Sequence, residues 1–186
     1  TLLSLVAANG KAQAMQLVMT NLTFAVDNMT REIRMGYDWY CDVHSTGNPG
    51  GINAGSVQDC VYGSPGNLIG VIETSNITSG GSLANDNTRR IVYWLDPDAY
   101  GTGHGAIVRR VGNGGGAGVP ITGRDVVIED FRITAYGTDP WLASTDVFQP
   151  TANLYIRGRS GIIADGINDN TEQFELQTTV VQRRID

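Results

Sequence analysis

Lysine is all but missing from this chain. Of its 13 basic residues only Lys11 is a lysine, and the rest are arginines. Acidic residues number 19, which leaves a formal net charge of −6. Nucleic-acid binding needs cationic side chains to neutralise phosphates, so no nucleic-acid partner is expected. Histidine is scarce as well: His44 and His104 stand alone, each in a Gly-rich loop. Neither has a nucleophile or a second base beside it, and both read as solvent-facing. No acid–base–nucleophile constellation exists, so catalytic residues and enzymatic activity are not expected. The 2 cysteines are too few to build a structural zinc site. No run of about 18 apolar residues occurs, so no segment reads as membrane-spanning. No basic stretch precedes the apolar start at Leu2, and no secretory leader is legible.

What is plentiful is glycine, with 24 residues placed mainly after position 36. Before that point the chain reads as one helix. Met15, Val18, Met19, Leu22, Val26, Met29 and Ile33 keep to one face of a 3.6-residue period. Gln16, Asn21, Thr23, Asp27, Asn28 and Glu32 take the opposite side. Leu2, Leu3, Leu5 and Val6 are apolar without a polar counter-face. A helix over residues 1–36 would be roughly 54 Å long, more than a small domain buries. Its first half is therefore expected to project toward a partner. Gly10 interrupts it at a cost of about 1 kcal/mol relative to alanine. Gly36 is expected to end it as a left-handed C′ residue, with Arg31 and Arg34 complementing the dipole.

Residues 37–186 read as a β-rich head. Short strands are expected at Val57–Tyr62 and Leu68–Glu73, separated by the turn chemistry of Gly63–Asn67. Further strands are expected at Arg90–Leu95, Ala106–Val111, Asp125–Ala135, Ala152–Arg157 and Phe174–Val181. In Asp125–Ala135 the apolar face switches partway, which suits a bulge or twist. Strands following a helix, without βαβ alternation, predict an α+β fold: a long N-terminal α-helix packed on a mainly antiparallel β-sheet.

Cys41 and Cys60 flank a stretch rich in Gly, Ser, Asn and Pro. A stapling disulfide and two free thiols are both open, with the flanked loop favouring the disulfide. Such a bridge would contribute roughly 3 kcal/mol and imply an oxidising compartment. Asp165, Asn168, Asp169 and Glu172 gather oxygen donors that suit Ca²⁺, against the commoner reading of an Asx-rich turn. The EF-hand-like start at Asp96 fails, because Ile107 stands where an acidic twelfth ligand belongs. No other cofactor is indicated. Trp39, Tyr40 and Tyr62, with Tyr37, lie near the cysteine loop. They would stack on a ligand or pack the helix end onto the sheet.

The segment Asn28-Met-Thr-Arg31-Glu-Ile-Arg34-Met-Gly36 resembles the helix end of type IV pilin-like proteins, with minor pilins and J-type pseudopilins most similar. Arg90–Leu95, Ile107–Arg110, Val127–Thr134 and Phe174–Arg183 resemble, in order, the sheet strands and C-terminus of such proteins. The resemblance implies a structural subunit of a type IV pilus-like filament or type II secretion pseudopilus. The implied partners are other pilin or pseudopilin subunits, through a helix assembly face of Leu2, Leu3, Leu5, Val6 and Met15. The inner membrane would be reached through a helix half preceding Thr1. The implied location is extracytoplasmic: membrane-anchored first, then in a cell-surface or periplasmic filament. A ligand-binding adhesin of a pilus tip is the alternative.

Overall fold

The structure, a computed structural model, describes residues 2–44, 49, 52, 57–73, 89–101, 103–112, 116–138, 149–160 and 172–183. Within the helix, the side chains of residues 2–8, 11 and 14 are outside the description.

Helix α1 spans Leu2–Met35 and continues through Gly10 without a break. Its buried stripe is Val18, Leu22, Ala25, Val26, Met29 and Ile33. Met19, expected on that stripe, is 40% exposed, and Ala25 is buried instead. The stripe centres near Leu22 and Met29, which puts Met19 at one margin and Ala25 at the other. The small side chain suits close packing and the flexible thioether suits the rim.

Eight strands follow among the described residues: β1 Gly36–Asp42, β2 Leu68–Glu73, β3 Arg90–Asp96, β4 Ala106–Val111, β5 Val119–Pro120, β6 Val126–Tyr136, β7 Thr151–Ser160 and β8 Gln173–Val181. They form two sheets, ordered β1-β2-β3-β4-β5 and β6-β7-β8, and every pairing is antiparallel. The expected α+β architecture is therefore corrected. The molecule is mostly β, with two separate sheets and the helix as the minor element, rather than a long helix laid on one sheet.

The reason lies at the edge of β6. The Cys60 N–H donates to Ala135 O and Ala135 N–H donates back, each at 2.9 Å. Gly66 and Ile133 exchange the same pair of bonds, at 2.8 and 2.7 Å. The Ile128 N–H donates to Gly105 O at 2.9 Å. Loop backbone thus satisfies the edge groups that would have joined β6 to the first sheet. Val57–Tyr62, expected as a strand, contributes only isolated bridges at Gln58 and Cys60. In β6 the register shifts between Ile128 and Asp130, where the apolar face of the sequence switches.

The main core lies where both sheets and the helix stripe meet. It includes Trp39, Ile69, Val71, Ile91, Tyr93, Ile107, Phe131, Ile133, Leu154, Ile156 and Phe174. Burying each such side chain contributes on the order of 1.5–3 kcal/mol. A smaller core covers the other face of the first sheet, from Ile52, Leu68, Val92, Trp94 and Val108. β3 consequently lies buried on both faces, and its apolar residues run on without strict alternation.

Gly36 is not a left-handed cap. It opens β1 and pairs with Glu73, while the positive φ of 50° falls on Asp38. A Cβ at Gly36 would stand 2.6 Å from Val71 Cβ, so close approach of β2 requires the glycine.

Candidate functional site

The helix presents its own surface. Asn9, Gly10, Ala12 and Gln13 are exposed, as are Gln16 and Leu17. Leu17 is 53% exposed and Phe24 70%. Seven residues separate these two, which is two helical turns, so they share one outward stripe. Gly10 lies seven residues before Leu17 on the same stripe, with open space where a Cβ would stand. Met15, expected both on the assembly face and on the apolar face shared with Leu22, packs partly buried against the main core. Its stripe is that of Leu22 and Val26, which face the sheets. The side chains of Leu2, Leu3, Leu5 and Val6 lie outside the described residues, and only their helical backbone is defined.

The packed half of the helix is held by an ionic clamp. The Arg109 guanidinium on β4 donates through Nε to Glu32 Oε2 and through Nη2 to Glu32 Oε1, both at 2.9 Å. The Tyr93 hydroxyl on β3 donates to Glu32 Oε2 as well. Burial, then the Glu32 carboxylate, pushes the Tyr93 phenol well above its ordinary range. The Arg109 guanidinium is shifted upward by its bond to Glu32. Every group here is committed to joining α1 to the first sheet.

Cys41 and Cys60 form a disulfide with Cα atoms 5.6 Å apart. A Cβ on Gly66 would stand 2.6 Å from Cys60 Sγ and 2.7 Å from Cys41 Sγ, so that glycine lets the loop lie on the bridge. The aromatic residues do not converge on a ligand surface. Trp39 is fully buried, and its Nε1–H donates to Gly36 O at 3.1 Å. Of the two readings, ligand contact or packing of the helix end, Trp39 takes the second, because the residue belongs to the main core. Tyr40 is half-buried against the smaller core and donates through its hydroxyl to Asp42 Oδ2 at 3.0 Å. Tyr62 is 95% exposed in the turn before β2.

The sequence reading missed a buried ionic group behind that core. Asp38 and Arg90 are both buried, and their charges act on one another. Desolvation raises the Asp38 carboxyl, opposed by Arg90, and lowers the Arg90 guanidinium. An acidic residue set among Tyr37, Trp39 and Tyr40 was the available signal.

Of the calcium candidates, Asp165, Asn168 and Asp169 lie outside the described residues. Glu172 is described, and its backbone N–H donates to Ser160 Oγ at 3.0 Å. Among the described residues no group of three or more His, Cys, Asp or Glu could hold a metal. His104 is buried rather than solvent-facing, with its Nε2 3.1 Å from Val126 O and its ring edge-on to Tyr100. It fills the turn between β3 and β4. Among the described residues, no helix is long and apolar enough to cross a membrane.

No protein-family model matches this chain, and neither curated proteins nor solved structures give a match.

Proposed function

We propose that this chain is a structural subunit that assembles through its N-terminal helix into an extracytoplasmic filament of the type IV pilus or type II secretion pseudopilus kind. The observation that carries the reading is the outward stripe of α1, where Leu17 and Phe24 stand exposed two turns apart. Exposed large apolar residues repeating along a helix mark a packing surface when they line up on one face. The disulfide at Cys41–Cys60 is in keeping with an oxidising compartment. Partners in this reading are other subunits, and the inner membrane through a helix half that would precede Thr1.

The adhesin alternative draws mainly on the exposed Tyr62, since Trp39 is in the core and Tyr40 is half-buried. Leu17→Glu and Phe24→Glu test the filament reading in cells that produce the chain. Both variants are expected to vanish from isolated filaments while the purified chain keeps its melting temperature. Incorporation at the unsubstituted level would overturn it.

A further inference from the structure

Sheet edges are templates for further strands, and folded chains blunt them. Among the described residues, three of the four sheet edges are blunted. β1 carries a register shift between Tyr37 and Tyr40, and its outer side is bonded by Gln58, which accepts from Cys41 N–H at 2.9 Å and donates to Trp39 O at 3.2 Å. β5 has two residues and one of them is Pro120. β6 is closed by Cys60, Gly66 and Gly105. The fourth edge, β8, has none of these devices. Its nine residues pair with β7 in unbroken register from Arg159↔Gln173 to Thr151↔Val181, and they include no proline, glycine or lysine.

The bonding parity of β8 follows from its two ends. Ser160 N–H donates to Glu172 O, and Gln182 N–H donates to Pro150 O. Even-numbered residues therefore face β7. The N–H and C=O groups of Gln173, Glu175, Gln177, Thr179 and Val181 point away from it. Arg183 N–H, next in that series, is already used by Arg34 O at 2.8 Å. Among the described residues, nothing bonds the other five along that edge.

We infer that β8 pairs antiparallel with β8 of a second copy of this chain, about a twofold axis at Gln177. This register sets odd residues opposite odd ones, so the outward groups meet as closely bonded pairs. Gln173 then faces the second Val181, Glu175 the second Thr179, and Gln177 itself. No like charges stand opposite each other, whereas a register centred on Glu175 would place two carboxylates face to face. The even residues also match: Phe174 meets Val180, and the partly buried Leu176 meets Thr178. The two three-stranded sheets would become one of six. This surface is separate from the helix stripe and does not rest on the filament reading.

Sedimentation equilibrium of the full chain and its variants tests the proposal. Gln177 is exposed, so charge there leaves the fold intact. The unsubstituted chain is expected to approach twice the monomer mass as concentration rises toward the millimolar range. Gln177→Lys alone and Gln177→Glu alone should each remain monomeric, because like charges would meet on the axis. An equimolar mixture of the two should restore the doubled mass. A monomeric unsubstituted chain throughout, self-association of Gln177→Lys at the original strength, or no recovery in the mixture would each overturn the pairing. Association through Leu17 and Phe24 would not respond to the charge at residue 177, so the two readings fail separately.

Discussion

Leu22 and Phe24 sit two residues apart on α1, yet Leu22 is fully buried and Phe24 is 70% exposed. Both are large and apolar, and both lie in an unbroken helix. Only the face differs. The inner stripe, from Val18 to Ile33, meets side chains from both sheets. The outer stripe, with Leu17 and Phe24, meets solvent. Hydrophobicity alone therefore does not locate the core of this molecule. What locates it is periodicity, together with the sheets that supply a second wall.

The strongest way to break this contrast is to truncate the inner stripe. Leu22→Ala removes a side chain that cannot be replaced by rearrangement among close-packed neighbours. The expected loss of stability is about 2–5 kcal/mol, seen as a lower midpoint in urea denaturation. If Leu22→Ala and Phe24→Ala shift the midpoint equally, the two stripes are not energetically distinct.

Removing the disulfide sharpens the contrast from within the main core, where Cys41 and Cys60 are buried alongside the helix stripe. Cys41→Ser with Cys60→Ser frees the loop that carries Ile52 over the smaller core. The expected cost is about 3 kcal/mol in the chain-entropy model. The helix should stay seated, because its stripe also packs on residues of both sheets that the bridge does not hold. Amide hydrogen exchange would show it: protection lost in β1 and around Gly66, and kept at Val26 and Met29. Equal loss at the helix would mean that the bridge and the helix stripe unfold as one.

The ionic clamp is weaker, since Glu32 and Arg109 are each about one third exposed. Arg109→Ala should cost about 1–2 kcal/mol, after allowance for solvent screening. Tyr93 makes the same contact sensitive to alkali. Its phenol is raised above the ordinary value of 10.0 by burial and by the Glu32 carboxylate. Unfolded chains lose that proton near pH 10, while the folded state keeps it. Between the two, the native state binds more protons, so stability is full below about pH 10 and falls as pH rises. Tyr93→Phe should flatten that alkaline decline in denaturation midpoint; an unchanged slope would place the dependence on other tyrosines.

Most individual elements were legible because their patterns are local. The helix stripe and the strands around Leu68, Arg90, Ala106, Val126, Thr151 and Gln173 show in apolar spacing. The division into two sheets did not show, because it depends on loop backbone at Cys60, Gly66 and Gly105 meeting β6. Backbone groups carry no sequence signature for such a meeting. The smaller core was hidden for a related reason: Ile52 sits in a turn-rich stretch, and nothing local says that it joins the cluster of Leu68, Val92, Trp94 and Val108. At the candidate site, the outward stripe was not legible. Met15 carries two readings, assembly from its place near the projecting half and packing from its angular position with Leu22, and the second is the one observed. Leu17 and Phe24 stand off the period of the buried stripe, among polar neighbours, so apolar spacing does not single them out.

The smallest expected effect on stability is the most informative about the outer stripe. Phe24→Ser exchanges an exposed ring for a small polar group, so the folded head loses almost no buried area. The denaturation midpoint should shift by no more than about 0.5 kcal/mol. An exposed phenylalanine that contributes nothing to the fold is a neutral position as far as the isolated chain is concerned. If it lies in a helix–helix contact, the same substitution removes a buried aromatic from every such contact. Assembly should then fall sharply at unchanged stability, read by pelleting filaments from the producing cells. Stability and assembly falling together would instead mean that Phe24 supports the head and that the outer stripe has no separate task.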